Sequence, residues 1–157
     1  MTAPVLIFAI GNESRGDDAL GPLLLRQLQE DECIERLEDF QLQIEHAMDM
    51  KDRKIVLFID AGMNTPAPFR FSRARENNEA VLYSHALVPE ALLKVYRQFY
   101  NEASPPSFIL CVRGHAFELG EAPTSESLGN LAAALEFTRR LLINPDVSFW
   151  DGLVTPI

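Results

Sequence analysis

The sequence predicts a three-layer α/β sandwich, with a mostly parallel sheet of about five strands and helices on both faces. Three observations carry this. Residues 5–10 (VLIFAI), 55–59 (IVLFI) and 108–112 (FILCV) are unbroken apolar runs of strand length, the pattern of strands buried on both faces of a parallel sheet. Stretches with apolar residues at helical spacing separate them. The runs end in Gly, Asn, Asp and His, the residues of connecting loops rather than of continuing strands.

The elements follow in order. After the first run, Leu20, Leu23, Leu24 and Leu28 recur at helical spacing, predicting a helix to about Glu30. Phe40, Leu42 and Ile44 alternate with Gln41 and Gln43, predicting a second short strand at 40–44. The 55–59 strand closes on Asp60-Ala61-Gly62, and Phe69 and Phe71 alternate with Arg70 and Ser72 as an antiparallel edge strand with one polar face. Pro89 opens a helix whose Leu92/Tyr96 and Val95/Phe99 share a stripe. After the 108–112 strand, Thr124 or Ser125 caps a final helix with Leu128, Leu131, Leu135 and Leu142 toward the core, stopped by Asn144-Pro145. The expectation is one domain over residues 1–157, with a flexible tail from about 145.

Composition narrows the partners. The 157 residues are 47% hydrophobic and 24% charged, ordinary for one domain. Asp plus Glu number 23 against 14 Lys plus Arg, a formal charge of −9. That argues against nucleic acid or an anionic membrane as partner, since both need clustered cations. The apolar run at 5–10 is too short to span a bilayer and lacks signal-peptide flanks. Two cysteines, Cys33 and Cys111, supply neither a zinc knuckle nor a disulfide scaffold. The expectation is a cytoplasmic protein.

In parallel sheets ligands bind beyond the carboxyl ends of the strands. There the chain carries Gly11-Asn12 and Asp17-Asp18 after the first strand, Glu45-His46 after the second and Asp60 after the third. His85 follows the 81–83 run and His115 follows the last strand; these and His46 are the only three histidines. Carboxylates and imidazoles converging on one edge suit a borderline divalent metal such as nickel or zinc. Each also has a plain structural reading: Asp17 or Asp18 as a helix cap, Asp60 as a turn residue, Glu45 as a solvated surface acid. Residues 9–22 (AIGNESRGDDALGP) are not a phosphate cradle, because no Gly-Lys-Ser/Thr follows and two carboxylates repel phosphate.

These motifs resemble the hydrogenase maturation proteases, the endopeptidases that remove a C-terminal extension from the large subunit of nickel–iron hydrogenases. Their Gly-x-Gly-Asn, short loop and acidic pair are matched by Ala9-Ile10-Gly11-Asn12 through Asp17-Asp18-Ala19-Leu20-Gly21, with Ala9 in place of the first glycine. Asp60-Ala61 matches the acid closing a buried strand, and Ser84-His85 the family's histidine before a helix. Residues 113–120 (RGHAFELG) and the closing helix are similar to the branch serving bidirectional, NAD-linked hydrogenases. One departure stands out: many members have a glycine-rich segment after the second strand, where this chain has residues 44–48 (IEHAM). The resemblance implies that Asp18, Asp60 and His85 contact a metal, that nickel is supplied by an immature large subunit, and that zinc or cadmium occupy the site in vitro. It implies substrate contacts at Gly11, Asn12, Asp17, Glu45 and His46. Peptide cleavage would use Asp18 or Asp60 as general base on water, or a metal-activated water. Two alternatives share parts of this outline: a phospho-receiver module using Asp17, Asp18 and Asp60, and a chaperone that binds the subunit without cutting it.

Overall fold

The computed structural model describes residues 2–76 and 87–156. Five strands form a single sheet in the order β2-β1-β3-β5-β4. They are β1 (Val5–Ile10), β2 (Ile34–Asp39), β3 (Ile55–Gly62), β4 (Phe69–Ala74) and β5 (Ser107–Arg113). All pairings are parallel except β4 with β5, which is antiparallel at the edge. The expected sheet is therefore observed, including its edge strand.

Every residue of β1 is buried, as its unbroken apolar run requires. Alternate side chains feed two cores. Val5, Ile7, Ala9, Leu57, Ile59 and Leu110 meet α1 (Leu20–Arg26) and α4 (Ser125–Ile143) on one face. Leu6, Phe8, Val56 and Phe58 meet α2 (His46–Asp49) and α3 (Pro89–Tyr100) on the other. Phe8 stacks on Phe58, and Phe71 on Phe108, with ring centroids 5.3 Å apart in each pair. Gly21 lets α1 sit tightly on the sheet: a Cβ there would fall 2.8 Å from the Ile10 carbonyl oxygen and 3.0 Å from that of Ile59. That close approach sets α1, and the loop before it, directly over the carboxyl ends of β1 and β3.

Four sequence expectations need correction. The second strand is 34–39, not 40–44, and Phe40 and Ile44 are 69% and 55% exposed. The reason is register: Val5 pairs with Ile34 and Ile10 with Asp39, so the chain beyond Asp39 has passed the end of β1, and its pairing there is an isolated antiparallel bridge between Leu42 and Leu87. The first helix ends at Arg26 instead of near Glu30. Arg36 on β2 closes that end by donating to the carbonyls of Leu25 (3.2 Å) and Leu28 (2.8 Å), groups that a helix terminus leaves unpaired. On α4, Leu131 and Leu135 are buried but Leu128 is 44% exposed. Finally, the segment after residue 145 is not a loose tail. It forms α5 (Val147–Asp151), whose Trp150 is fully buried against Phe71 and Phe108. The Trp150 indole N–H donates to the Leu141 carbonyl at 2.9 Å, which satisfies the one polar atom that its burial would otherwise strand.

Candidate active site

The loop between β1 and α1 is built around two acids with opposite environments. A 3-10 turn, Gly16–Ala19, carries both. Asp17 points inward and has no exposed surface. It accepts hydrogen bonds from the amides of His115 (2.7 Å), Ala116 (3.0 Å) and Thr124 (2.7 Å) and from the Ser127 hydroxyl (2.6 Å). The Thr124 hydroxyl lies 3.0 Å from the same carboxylate. Burial pushes the Asp17 pKa up, but the donors from Ser127, His115, Ala116 and Thr124 outweigh it and bring it down to about 2. Two glycines make the clamp possible. A Cβ on Gly16 would fall 2.5 Å from the Ala116 carbonyl oxygen, and one on Gly114 would meet Asp17 Cβ at 3.0 Å. The expectation that Asp17 touches a substrate is thereby corrected: its oxygens are taken up inside the protein, and it pins the turn to the β5–α4 loop and the start of α4.

Asp18 faces the other way, half-buried at the carboxyl edge of the sheet. Its Oδ2 accepts the Asn12 amide at 2.7 Å. Gly11, at φ 154°, is required for this arrangement, since a Cβ there would collide with the Asp18 carbonyl at 1.9 Å. Asn12 spends its side chain locally, its Oδ1 accepting the Ser14 amide at 2.9 Å. Gly11 and Asn12 thus shape the loop that holds Asp18. Burial raises the Asp18 pKa, against the lowering effects of the Asn12 amide and the Arg15 charge.

Asp60 stands near the end of β3, on the central strand beside β1. Its Oδ1 accepts the Ala61 amide at 2.8 Å. Burial pushes its pKa up to about 7; the Ala61 hydrogen bond pulls the other way, and the nearby Asp18 charge adds to the rise. The two acids therefore sense one another across the ends of β1 and β3. A carboxylate of this kind exchanges its proton near neutral pH, the condition for general acid–base work. Two desolvated carboxylates that repel each other are equally a pair that a divalent cation stabilises.

Cys111 lies directly across from Asp60 in the β3–β5 register. It falls in the 108–112 run, whose apolar character predicts a strand buried on both faces. Instead it is partly exposed, with its Sγ 3.0 Å from the Thr65 hydroxyl, and its thiol pKa is raised by burial and by the Asp60 charge. The pairing of parallel strands from their carboxyl ends was the signal that places it there.

The other expected residues are dispersed. His46 opens α2, and both ring nitrogens are engaged: Nδ1 accepts the Gln43 amide at 2.9 Å, and Nε2 lies 3.3 Å from Asp39. Its ring packs edge-on against Phe8 at 5.2 Å. Glu45 is exposed beside it. His115 places Nε2 3.4 Å from Glu126. His85, the third expected metal contact, lies outside the described residues. Among the described residues no three His, Cys, Asp or Glu side chains converge in a metal-binding group.

No protein-family model and no curated protein sequence matches the chain. Solved structures do. The chain is similar to the [NiFe] hydrogenase maturation protease HycI of Thermococcus kodakarensis KOD1, with a TM-score of 0.68 and 21% identity over 90% of this chain and 94% of that one. It is similar to the hydrogenase maturating endopeptidase HybD of Escherichia coli, with a TM-score of 0.69 and 22% identity over 88% and 91%. A [NiFe] hydrogenase maturation protease HybD of Thermococcus kodakarensis matches at a TM-score of 0.64 and 21% identity, over 87% and 97%. At these identities the likeness is one of fold, and it spans nearly the whole of each chain.

Proposed function

We propose that this chain is an endopeptidase of nickel–iron hydrogenase maturation, which removes the C-terminal extension of a nickel-loaded, immature large subunit. The observation that carries the reading is the Asp18–Asp60 pair: two carboxylates of raised pKa facing the carboxyl edge of β1 and β3. The fold likeness to proteins named as hydrogenase maturation proteases supports it. Asp18, Asp60 and His85 would contact the substrate's nickel, which checks that the metal is in place before the cut. Either Asp18 or Asp60 then takes the proton of the attacking water, and the proton passes to the leaving amine. Zinc or cadmium would stand in for nickel in vitro. The work is cytoplasmic, without nucleic acid or membrane; no helix among the described residues is long and apolar enough to cross a bilayer.

The phospho-receiver alternative fits less well. That outline has an all-parallel 2-1-3-4-5 sheet, whereas here β4 is antiparallel at the edge. It also needs both acids of the pair at the site, and Asp17 is buried under its own donors. Arg113, at the end of β5, is held by the carbonyls of Thr65 (2.9 Å) and Gly114 (3.2 Å).

The deciding experiment mixes the protein with a nickel-loaded, unprocessed large subunit and weighs the products. The expected result is loss of the C-terminal extension from the nickel-loaded subunit and none from the nickel-free one. A stable complex with no mass change would replace the endopeptidase with the non-cleaving chaperone. Metal alone gives a second expectation. Nickel, zinc or cadmium titrated by calorimetry binds at one site, and His85→Ala weakens it at least about tenfold, roughly 1.4 kcal/mol. His46→Ala leaves that affinity unchanged, because both its nitrogens are already engaged; metal loss there would mean that the wrong imidazole has been chosen.

A further inference from the structure

We infer that the outer edge of β2 is a docking rail on which the substrate's C-terminal extension lies as an added antiparallel strand. This rests on the endopeptidase reading and deepens it. The sheet has two edges, and they differ. At the β4 edge the segment after α5 covers the middle of the strand: the Thr155 amide donates to the Phe71 carbonyl at 2.8 Å, and the Phe71 amide donates to the Thr155 hydroxyl at 3.0 Å. The β2 edge is open. The Val5 amide donates to the Cys33 carbonyl (3.1 Å) and the Gly11 amide to the Asp39 carbonyl (3.0 Å). In a parallel ladder alternate residues turn both backbone groups to one neighbour, so Glu35, Leu37 and Asp39 face β1. Arg36 and Glu38 turn their N–H and C=O outward, and among the described residues no group meets them. Such a row is a template for another strand.

Place and charge identify the occupant. β2 adjoins β1, and its Asp39 end lies level with Ile10, at the same sheet edge as Asp18 and Asp60. A strand added outside β2 lies three strand spacings from β3, roughly 14 Å, which about four extended residues span. A peptide leaving the acid pair across that gap would run down β2 in the antiparallel sense. It would first pass the exposed Phe40 and Ile44, which follow β2 at that end. It would then reach an open groove lined by Glu30, Asp31, Glu32, Ile34, Glu35 and Arg36. Of the groove's four acids Glu35 pairs with Arg53 and Glu30 with Arg36, which leaves Asp31 and Glu32 to favour an extension with Lys or Arg in its distal half.

Proline separates backbone pairing from side-chain contact. Glu38→Pro removes the outward N–H together with the carboxylate that pairs with Arg26 and keeps the β1 ladder, whereas Glu38→Ala removes the same carboxylate and keeps the N–H, so the difference between the two variants isolates the N–H. With the large subunit as substrate, Glu38→Pro raises KM at least tenfold at nearly constant kcat, and Glu38→Ala changes KM by less than threefold. The second measurement uses unaltered protein. A synthetic peptide of the released extension slows hydrogen exchange at the Arg36 and Glu38 amides, and not at amides already in the β1 ladder. If the wild type cuts the subunit while the Arg36 and Glu38 amides exchange at the free rate under saturating peptide, the rail is wrong and the endopeptidase stands. If the wild type cuts nothing, the endopeptidase falls and takes the rail with it.

Discussion

Asp17→Asn lowers the melting temperature by about 10 °C at pH 7, because among the described residues Asp17 is the acid with no exposed surface. An Asp that merely caps a helix tolerates Asn, which caps equally well. Asp17 is not in that position. Both its oxygens accept: Oδ1 takes the Thr124 amide, and Oδ2 takes the amides of His115 and Ala116 and the Ser127 hydroxyl. Whichever way an asparagine turns, its NH2 faces at least one buried amide, donor against donor. An orphaned buried donor costs about 1–3 kcal/mol, and the charge-assisted bonds are lost as well. A total of roughly 3–4 kcal/mol is about 10 °C in a domain of this size. The pH dependence has a definite sign. The folded pKa, about 2, lies below the ordinary value of 3.8. This carboxylate therefore contributes stability above pH 4 and loses it as pH falls toward 2. Melting curves at pH 7 and pH 2.5 check it: the gap between wild type and Asp17→Asn narrows in acid. Wild-type melting by Asp17→Asn at pH 7 would return Asp17 to the capping reading.

What the sequence disclosed follows from the range of the interactions involved. β1 and residues 55–59 of β3 are buried on both faces, and β5 is fully buried on one face and half-buried on the other, so their apolar runs identify them without neighbours. β2 borrows its stability from β1 on one side only, and its Glu35, Arg36 and Glu38 find partners in Arg53, Leu25, Leu28 and Arg26. Nothing local distinguishes that pattern from a polar loop. The better alternation at 40–44 pointed to the wrong strand because pairing depends on where β1 ends. The tail was misread for a similar reason: Trp150 is a core residue only because Phe71 and Phe108 face it. At the site, Asp18 and Asp60 were legible from strand ends and motif. The division of labour within Asp17-Asp18 was not, since Asp17 meets Ser127 across 110 positions of chain. Cys111 became visible beside Asp60 only through the β3–β5 register.

Asp60→Asn is expected to do the opposite of Asp17→Asn to stability while removing activity. Burial and the Asp18 charge raise the Asp60 pKa from 3.8 to about 7 in the fold, so the folded protein binds this proton more tightly than the unfolded chain does. The sign follows. Its favourable contribution is complete below about pH 4 and is lost as pH rises through 7, when a buried carboxylate must carry its charge. Asparagine never ionises and still accepts the Ala61 amide through its carbonyl oxygen. At pH 8 the variant should therefore melt above the wild type, by an amount on the order of 2–4 kcal/mol, and near pH 4 the two should converge. Processing of the large subunit should fall at least about 100-fold, because an amide neither takes the proton of water nor offers a metal an anionic oxygen. Asp18→Asn should show the same loss of processing with a smaller gain in melting temperature, since Asp18 is the less buried acid and its pKa rise is smaller. Metal supplies the final discriminator. A cation bound only to the folded state stabilises it by mass action, so cadmium or zinc at pH 8 should raise the melting temperature of the wild type and leave Asp60→Asn unmoved. An Asp60→Asn variant that is less stable at pH 8 yet processes the subunit at the wild-type rate would make Asp60 a structural acid and move the chemistry elsewhere on the sheet edge.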